Sequence, residues 1–416
     1  GFRDFLPEEM RVRNYVLGVF KDVFESYGFE PLETPSLEYA QTLLGKYGEE
    51  ADRLVYTFKD RGGREVAMPY DLTVPTTKVL AMYQSEIPLP FKRYQIQRVW
   101  RAEKPQKGRY REILMCDVDT FGIASPLADA EIIAVIYNIL KRLDFDEFTI
   151  RINSRKVLFK MLDELGIKDK ELKLSVLRSI DKIDKVGEDG VERELLRKKV
   201  TSETCGRILE MLKTVKPDKT LDELLKLVSN LGVDKNFYNF DPTMVRGLDY
   251  YTGPIFETYV AEPPIGSITG GGRYDNLVAQ LGGPNIPATG TTIGLDRICD
   301  VVSELDLLKE NVKPQTQILV TIFPRKNKEQ STINYQQSSL DLAKNLRNQG
   351  INTEVYLDPE ASLDKQLKYA NRKGIPFIAI LGPKEIEKGK VTLKDMQTGE
   401  QMLISREKLA KRLAAN

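Results

Sequence analysis

Residues 91–103 have the sequence FKRYQIQRVWRAE, in which apolar and polar side chains alternate. The apolar set is Tyr94, Ile96, Trp100 and Ala102, and the polar set is Gln95, Gln97, Arg101 and Glu103. Successive side chains of a β-strand point to opposite faces of a sheet. The alternation therefore predicts a strand with one apolar and one polar face.

A second strand is predicted after a turn. Residues 104–108, Lys-Pro-Gln-Lys-Gly, have the composition of a turn. The returning segment places on one face Arg109, Arg111, Ile113, Met115, Asp117 and Asp119. Together the two segments predict an antiparallel hairpin whose polar face carries charges of both signs.

The charged face has two explanations. For any single pair of charges a solvated sheet surface is the more common one. Here three arginines, at 101, 109 and 111, accompany three carboxylates around one turn. Arginine forks suit phosphate oxygens, and carboxylates bind magnesium or an ammonium group. The combination favours a site for a nucleoside triphosphate beside an amino acid.

A second informative stretch is RGLDYYTG at residues 246–253. It places one cation, one carboxylate and two phenols within eight residues. Such a segment can hold a small polar ligand next to an anionic group. The alternative for Tyr250 and Tyr251 is core packing, and one of the two rings can serve only that purpose. Three consecutive glycines at 270–272 are most often a flexible turn, but they also let a ligand approach the backbone closely.

The rest of the chain suggests several domains, since 416 residues exceed one core. A helical period from Pro7 to Tyr27 ends at Gly28, and the extended segment 29–38 contains prolines that place it at a sheet edge, where a second subunit could pack. Ser125 and Pro126 predict the start of a helix over 127–143. Residues 168–230 are charged and helical in period, and strand character returns over 244–260. Residues 303–315 are a candidate linker, followed by a βαβαβ pattern over 318–381.

Composition excludes several kinds of site. The chain has no histidine, which rules out a histidine base and histidine-ligated metals. Its net charge of +1 means that any nucleic acid must bind local basic surfaces. The three cysteines are far apart and form no ligand pair or disulfide framework. We expect no signal peptide, and no apolar run approaches the ~18 residues of a membrane span. We expect a cytoplasmic protein that does not bind membranes.

Five motifs, in order, resemble those of the histidyl-tRNA synthetases, a class II family. YGF at 27–29 through Pro35 is similar to motif 1, which builds the family's dimer interface, and residues 101–112, with RAE, PQ and GRYRE, resemble motif 2. GLDR at 294–297 resembles motif 3. The stretches 246–253 and GGGRYD at 270–275 resemble the two histidine signatures. The C-terminal segment, with GIP at 374–376, KD at 394–395 and GEQ at 399–401, resembles the family's anticodon-binding domain.

The resemblance implies a fold and a reaction. We expect an α+β catalytic core, an antiparallel sheet flanked by helices, with a helical insertion and a C-terminal α/β anticodon-binding domain. The expected segments are 1–167 for the first part of the core, 168–230 for the insertion, 231–305 for the second part and 315–416 for the anticodon-binding domain. The implied enzyme is a homodimeric ligase that adenylates histidine with ATP and Mg²⁺ and transfers it to the acceptor end of a tRNA, whose anticodon it also binds.

The resemblance also implies residue roles. Arg246 would bridge the histidine carboxylate and the α-phosphate as the electrophilic catalyst, and Arg101 would also hold the α-phosphate. Arg109 and Arg297 would bind the β- and γ-phosphates, and Glu103 would lie at the adenine or its metal-linked surroundings. The expected histidine-binding residues are Asp71, Thr73 and Asp119 near the α-amino group, Tyr250 and Tyr251 by the imidazole, Met115, and Arg246. No metal ligand is assigned.

Two positions depart from the family pattern. The family usually has a glutamine at Met115, and commonly an arginine at Pro69. Met115 cannot donate a hydrogen bond as an amide does.

Two other functions fit the same motifs. One is a histidine-sensing regulatory subunit of ATP phosphoribosyltransferase, a paralogue that generally lacks the anticodon-binding domain and the ATP-binding arginines. The other is a ligase that adenylates a different small molecule. Retention of residues 315–416 and of Arg101, Arg109, Arg246 and Arg297 favours the tRNA ligase.

Overall fold

The computed structural model describes residues 1–45, 53–105, 110–246, 250–280, 282–308, 311–324 and 335–414. The chain forms two compact units, Gly1–Lys309 and Glu310–Asn416. No helix of the described residues is long and apolar enough to cross a membrane.

The first unit is built on one large sheet. Its strands and those of a small neighbouring sheet are β1 (Glu30–Pro31), β2 (Glu38–Tyr39), β3 (Thr57–Lys59), β4 (Glu65–Ala67), β5 (Phe91–Trp100), β6 (Glu112–Phe121), β7 (Phe148–Ser154), β8 (Tyr238–Phe240), β9 (Pro254–Val260), β10 (Thr269–Arg273) and β11 (Ala288–Gly294). The large sheet has the order β1-β5-β6-β11-β10-β9-β7-β8, and the small one β2-β4-β3. The six central strands are antiparallel, and only the edge strands β1 and β8 pair in parallel. The predicted antiparallel sheet is therefore confirmed, and the proline-containing β1 lies at its edge.

Eleven helices are described in this unit. They are α1 (Pro7–Ser26), α2 (Ala40–Leu43), α3 (Thr73–Met82), α4 (Pro126–Arg142), α5 (Arg155–Glu164), α6 (Lys170–Ile180), α7 (Ile183–Arg197), α8 (Ser202–Thr214), α9 (Lys219–Asn230), α10 (Leu277–Gln280) and α11 (Leu295–Glu304). The start of α4 follows its sequence, because Pro126 occupies the first turn and the Ser125 hydroxyl accepts a hydrogen bond from the Leu127 amide. Helix α1 ends before Gly28, whose φ of 77° is one that glycine adopts readily.

Helices cover one face of the large sheet. α1 packs on α4 and α11, α4 on β10 and β11, and α11 on β6. The sheet side chains beneath them are apolar and buried, among them Cys116, Val118, Phe256 and Ile293. The opposite face carries the polar side chains of the same strands. Because successive side chains of a strand alternate, the side chains that pack against the helices and the candidate site residues lie on opposite faces of the sheet.

Residues 170–230 form the four helices α6 to α9. α6, α7 and α8 share a buried cluster with α5 that includes Leu177, Leu195 and Ile208. α7 is broken at Gly187, whose φ of 69° is not helical. α9 packs instead against α4, beneath the large sheet.

The second unit has its own sheet and core. It contains β12 (Ile318–Val320), β13 (Thr353–Val355), β14 (Phe377–Ile380), β15 (Lys390–Asp395) and β16 (Gln401–Ser405), with α12 (Tyr335–Asn348), α13 (Leu363–Lys373), α14 (Pro383–Glu387) and α15 (Arg406–Ala414). The strand order is β13-β12-β14-β15-β16. β12 pairs in parallel with β13 and β14, as a βαβαβ pattern requires, and β15 and β16 add an antiparallel hairpin.

Two predicted strands are shorter than expected. Strand character was expected over 244–260, but β9 begins at Pro254. The described residues before it, 244–246 and 250–253, are not in a strand. Arg155 contacts both stretches: its guanidinium donates to the Arg246 carbonyl oxygen at 2.7 Å, and its amide donates to the Gly253 carbonyl oxygen at 2.9 Å. β5 ends at Trp100, so Arg101 and Glu103 lie beyond the strand. Of the turn that follows, residues 106–109, including Arg109, lie outside the described residues.

Candidate active site

The polar face of the large sheet is ordered in rows that cross several strands. One row is Arg93, Asp119, Gly290, Gly272, Ile255 and Asn153. The next is Gln95, Asp117, Thr292, Gly270, Glu257 and Arg151. Asp117 is 2% exposed and Asp119 4%. These carboxylates are therefore not on a solvated sheet surface, and that explanation of the alternation is wrong here.

Asp119 is held from two sides. The Arg93 guanidinium, itself fully buried, lies 2.8 Å from its Oδ2, and the Tyr274 hydroxyl donates a hydrogen bond to Oδ1. Burial raises the pKa of Asp119, while Arg93 and the Tyr274 hydroxyl act against that rise. Buried charges persist in proteins when they are paired in this way. Asp119 is thus a fixed acceptor at the centre of the polar face.

A glycine provides the space for this carboxylate. Gly290 lies directly opposite Asp119 in the sheet. A Cβ atom at Gly290 would lie 1.9 Å from Asp119 Oδ1 and 2.6 Å from the Val118 carbonyl oxygen, which is closer than atoms can approach. The sequence therefore needs glycine here for reasons of space.

A second carboxylate, Asp117, lies on the neighbouring row. Burial raises its pKa to about 7; Arg93 opposes the rise, and Asp119 adds to it. The Asp71 carboxylate is close enough to raise it further. Asp71 also accepts a hydrogen bond from the Val74 amide at 3.1 Å, which fixes it at the start of α3, and Thr73 is the first residue of that helix. The structure therefore brings Asp71 to the side of the sheet that carries Asp117.

Arg246 lies over the glycine strand. Its Nη1 is 2.5 Å from Glu257 Oε1, and both side chains are about one-sixth exposed, at 17% and 16%. A Cβ at Gly270 would lie 1.8 Å from the same Nη1, so the guanidinium occupies the space that a side chain at residue 270 would fill. Burial acts to lower the pKa of Arg246, but Tyr251 and Glu257 raise it, and the net shift is upward. The group is a permanent cation next to the two buried rows.

The tyrosines of the 246–253 stretch adjoin Arg246 and Asp119. The rings of Tyr250 and Tyr251 have centroids 4.7 Å apart, and Tyr250 lies edge-on to Tyr274 at 5.8 Å. The Arg246 guanidinium lies 5.7 Å from the Tyr251 ring centroid. Tyr251 is 7% exposed and belongs to a buried apolar cluster, whereas Tyr250 is only partly buried and packs against it. The packing alternative thus fits Tyr251 better than Tyr250.

Arg101 and Glu103 meet at another tyrosine. The Arg101 Nε donates to the Tyr70 carbonyl oxygen at 3.0 Å, and its guanidinium lies 4.5 Å from the Tyr70 ring centroid. The Tyr70 hydroxyl donates to Glu103 Oε1 at 3.0 Å, and Glu103 is 8% exposed. Tyr70 immediately precedes Asp71. Residues 70 and 71 therefore join Arg101 and Glu103 to the carboxylates of the sheet.

Met115 and Arg297 lie towards the same end of the sheet. Met115 pairs with Gly294, the last residue of β11, and Arg297 follows in the first turn of α11. The Arg297 Nη1 donates to the Ser267 carbonyl oxygen at 2.5 Å. Met115 is buried against Leu72 and Val99, so its side chain fills an apolar contact rather than offering a donor.

Among the residues that the structure describes, one expected cluster is not formed. The arginines near the turn and the carboxylates Asp117 and Asp119 were expected around a single turn. Because a strand rises about 3.3 Å per residue, Asp119 lies roughly 25 Å along β6 from Arg111. Asp119 pairs instead with Arg93, whereas the Arg111 Nε donates to the Glu103 carbonyl oxygen at 3.0 Å.

Two residues of the polar face, Arg93 and Glu257, were missed by the sequence analysis. Gln95 and Tyr274 were part of quoted patterns but were given no role of their own. Arg93 has the same parity along β5 as the polar residues, which is a signal that could have identified it. Glu257 has no comparable local signal, because its partner Arg246 belongs to a loop.

The same residues limit how a metal ion could bind. Within the described ranges no group of three or more His, Cys, Asp or Glu side chains could hold a metal ion. Mg²⁺ commonly uses one or two carboxylates together with phosphate oxygens of the substrate. The acidic residues of the polar face fit a site in which one or two carboxylates help substrate phosphates to bind Mg²⁺.

Comparison with known proteins agrees with the motifs. The family model for histidyl-tRNA synthetase matches residues 1–298, and that for an anticodon-binding domain matches residues 319–416. A histidine–tRNA ligase of Aeropyrum pernix is 42% identical over 97% of this chain and 94% of its own length. One of Korarchaeum cryptofilum is 41% identical, covering 97% and 96%, and one of Bacteroides fragilis 38%, covering 98% and 97%.

Solved structures agree as well. A histidyl-tRNA synthetase crystal structure from Nostoc superposes with a TM-score of 0.85 at 29% identity, covering all of this chain and 97% of that one. A Bacillus halodurans structure, described as an ATP phosphoribosyltransferase regulatory subunit/histidyl-tRNA synthetase, has a TM-score of 0.73 at 20% identity, covers 89% and 95%, and shows the fold alone. On the evidence of both family models and these full-length relatives, the chain belongs to the histidyl-tRNA synthetase family.

Proposed function

We propose that this chain is a histidine–tRNA ligase that activates histidine with ATP and transfers it to tRNA. The observation that carries the proposal is the buried polar face, on which a permanent cation, Arg246, lies over Gly270, on the same row of the sheet as Asp117 and next to the row of Asp119. The ligase function of the full-length relatives supports it. The regulatory-subunit alternative is not favoured.

The first step is adenylation. A histidine carboxylate oxygen attacks the α-phosphorus of ATP, the bond to the β-phosphate oxygen breaks, and pyrophosphate leaves. Negative charge on the α-phosphate oxygens grows as the bond forms, so a fixed cation nearby lowers the barrier. We assign this role to Arg246, with Arg101 on the same phosphate. The reaction requires positioning and charge neutralisation rather than a protein base, so a chain without histidine can catalyse it.

The second step transfers histidine to tRNA. The 2′- or 3′-hydroxyl of the terminal adenosine attacks the carbonyl carbon of the mixed anhydride, and AMP leaves with the bonding electrons. The released AMP phosphate oxygen is itself an acceptor for the hydroxyl proton. The C-terminal unit, which matches an anticodon-binding domain, is proposed to bind the other end of the same tRNA.

Histidine is proposed to bind between the carboxylates and the tyrosines. Asp71, Thr73 and Asp119 would accept the ammonium group, because its hydrogen atoms need buried acceptors. Tyr250 and Tyr251 would lie by the imidazole. The burial that raises the pKa of Tyr250 keeps its hydroxyl protonated at neutral pH, so it remains a donor. A site with buried polar groups rejects apolar analogues of the same size.

The nucleotide is proposed to bind where Arg101, Glu103 and Arg297 lie, with Arg109 on the same phosphates. Bound Mg²⁺ would offset phosphate charge, and it would be held mainly by phosphate oxygens with Asp or Glu side chains of this face. We also propose that the enzyme is a class II homodimer of the cytoplasm. The edge position of β1 and the exposed Leu37 and Tyr39, which follow β1 in the chain, suit subunit packing.

Histidine-dependent ATP–pyrophosphate exchange tests this function. The chain should exchange label with histidine and not with other amino acids, and should then charge a histidine tRNA. No exchange despite histidine binding would identify a sensor instead. Exchange only with another acid would identify a different ligase.

A further inference from the structure

We propose that Glu257 is a positioning residue for Arg246 and that it connects Arg246, through Tyr259 and Arg151, to the first turn of α7. The proposal rests on the role assigned above to Arg246 in adenylation. Its consequence is that the position of the helical segment 170–230 determines the position of the Arg246 guanidinium.

The first link is the contact between Arg246 and Glu257. Glu257 Oε1 lies 2.5 Å from Arg246 Nη1, and the glycine at 270 leaves no alternative side chain in that space. A guanidinium has five N–H donors, and this contact engages one nitrogen of the fork. The remaining donors can bind a carboxylate and a phosphate oxygen. Glu257 thus fixes one nitrogen of the Arg246 guanidinium and leaves its remaining N–H donors available to the substrates.

The second link uses the other carboxylate oxygen. The Tyr259 hydroxyl donates a hydrogen bond to Glu257 Oε2. Burial and the Glu257 charge raise the pKa of Tyr259, so the phenol remains a donor at neutral pH. With both oxygens engaged, the Glu257 carboxylate cannot rotate without losing a partner. Its orientation is therefore set by Tyr259 as well as by Arg246.

The third link crosses to the next strand. Arg151 of β7 lies directly opposite Glu257, and its guanidinium lies 4.5 Å from the Tyr259 ring centroid. Such a stack of a cation on a phenol ring is attractive. Arg151 therefore holds Tyr259 in the position from which it donates to Glu257.

The fourth link reaches the helical segment. Arg151 Nη1 lies 2.7 Å from Asp184 Oδ2 and 3.5 Å from Asp241 Oδ2. Asp184 is in the first turn of α7, where a carboxylate favours the helix dipole. Its side chain is 59% exposed, so the pair adds little to stability. Its importance is geometric, because it joins α7 to the strand pair that carries Glu257.

The backbone of Arg246 is anchored independently. The Arg155 guanidinium holds the Arg246 carbonyl oxygen at 2.7 Å, so loss of Glu257 leaves the main chain in place. Only the direction of the Arg246 side chain then becomes free. A misdirected catalytic group lowers kcat, whereas ground-state binding of the substrates is largely kept.

Variants of Glu257 test the first half of the proposal. In histidine-dependent exchange by the full chain, Glu257→Gln should lower kcat about 30-fold or more, with the KM values for histidine and ATP within about threefold of wild type. Glu257→Asp keeps the charge. Its loss in log kcat should be at most two-thirds of the loss in log kcat of Glu257→Gln. Asp189→Asn, a loss of one exposed carboxylate in the same α7, is the matched control and should be unchanged. A kcat for Glu257→Gln within twofold of wild type would overturn the proposal.

A double-variant cycle tests the connection to α7. Asp184→Asn should lower kcat about two- to fivefold in the wild-type chain and have no further effect in the Glu257→Gln chain, since the connection is already cut there. Equal effects of Asp184→Asn in both backgrounds, or none in either, would overturn the connection. Arg246→Ala separates this proposal from the proposed function. If Arg246→Ala abolishes exchange while Glu257→Gln keeps a kcat within twofold of wild type, only the positioning role fails.

Discussion

The two faces of the large sheet use the same strands for opposite purposes. Phe256 and Glu257 are neighbours on β9, yet Phe256 is fully buried beneath the helix layer and Glu257 contacts Arg246 on the other face. Apolar burial on the helix side stabilises the fold. On the polar side, buried carboxylates carry a desolvation cost that pairing only partly offsets. Apolar burial on one face therefore offsets the desolvation cost of the charges that are held in place on the other face.

The glycines differ in whether their surroundings leave room for a side chain. On the polar face Gly270 and Gly290 make room for the Arg246 guanidinium and the Asp119 carboxylate. A Cβ at Gly206 in α8 would have no atom within 4 Å, so this glycine serves no such purpose. Substitution of Gly270 or Gly290 should therefore affect activity, whereas substitution of Gly206 should not.

The largest effect is expected from Arg246→Ala. Removing the cation that offsets charge on the α-phosphate should lower histidine-dependent exchange by at least about 10³-fold. The melting temperature should change by only a few degrees, because the side chain is part of no apolar core. Exchange assays with calorimetry measure both. Near-normal exchange would remove Arg246 from the reaction.

Gly290→Ala should have the next largest effect. Its Cβ would displace Asp119 and press on the Val118 backbone, so the dissociation constant of histidine, measured by calorimetric titration, should rise about 100-fold or more. The matched control is Gly206→Ala, which should leave histidine binding unchanged and slightly stabilise α8. Normal histidine binding by Gly290→Ala would place the amino acid elsewhere.

Phe256→Ala tests the opposite face. The cavity left by a fully buried phenylalanine should lower the free energy of unfolding by about 3–5 kcal/mol. Urea unfolding measures this loss. Exchange per folded molecule should stay within about threefold of wild type. A large loss of kcat with little loss of stability would contradict the division between the faces.

Asp117→Asn should change how stability depends on pH. Burial raises the pKa of Asp117 from 3.8 to about 7, so between these values the folded chain binds more protons than the unfolded chain. This contribution is fully present below about pH 4 and is lost as pH rises through about 7. The asparagine variant should therefore lose less stability than wild type between pH 5 and pH 8, by about 1 kcal/mol or more in urea unfolding. Identical pH profiles would show that Asp117 titrates normally.

Met115→Gln should have the smallest effect. Met115 is buried on the row that ends at Gly294, and a glutamine of similar length adds a donor on the polar face. The KM for histidine should stay the same or fall by a few fold. A marked rise would contradict the alignment of Met115 with the glutamine that the family usually has at this position.

Much of the fold was predictable because its signals are local. The alternation along 91–103 identified β5, and the Ser125-Pro126 pair identified the start of α4. Strand character was expected from residue 244, but the described residues 244–246 and 250–253 are not in a strand. Arg155, distant in sequence, binds the carbonyl oxygens of Arg246 and Gly253 instead.

The site was predictable only in part, for a similar reason. Asp119 follows from strand parity and from family resemblance. Its partners Arg93 and Tyr274 depend on which strands become neighbours, and so does the contact of Glu257 with Arg246. The roles expected for the whole set of site residues remain predictions: Asp71, Thr73, Arg101, Glu103, Met115, Asp119, Arg246, Tyr250, Tyr251 and Arg297. Arg109 lies outside the described residues.

A crystal structure of the protein with histidine bound tests the central claim most directly. The account predicts the ammonium group within about 3.5 Å of the Asp119 or Asp71 carboxylate and the histidine carboxylate on the Arg246 side of the sheet. Histidine bound away from the polar face, with Arg93, Asp119 and Arg246 unchanged and solvent between them, would contradict it.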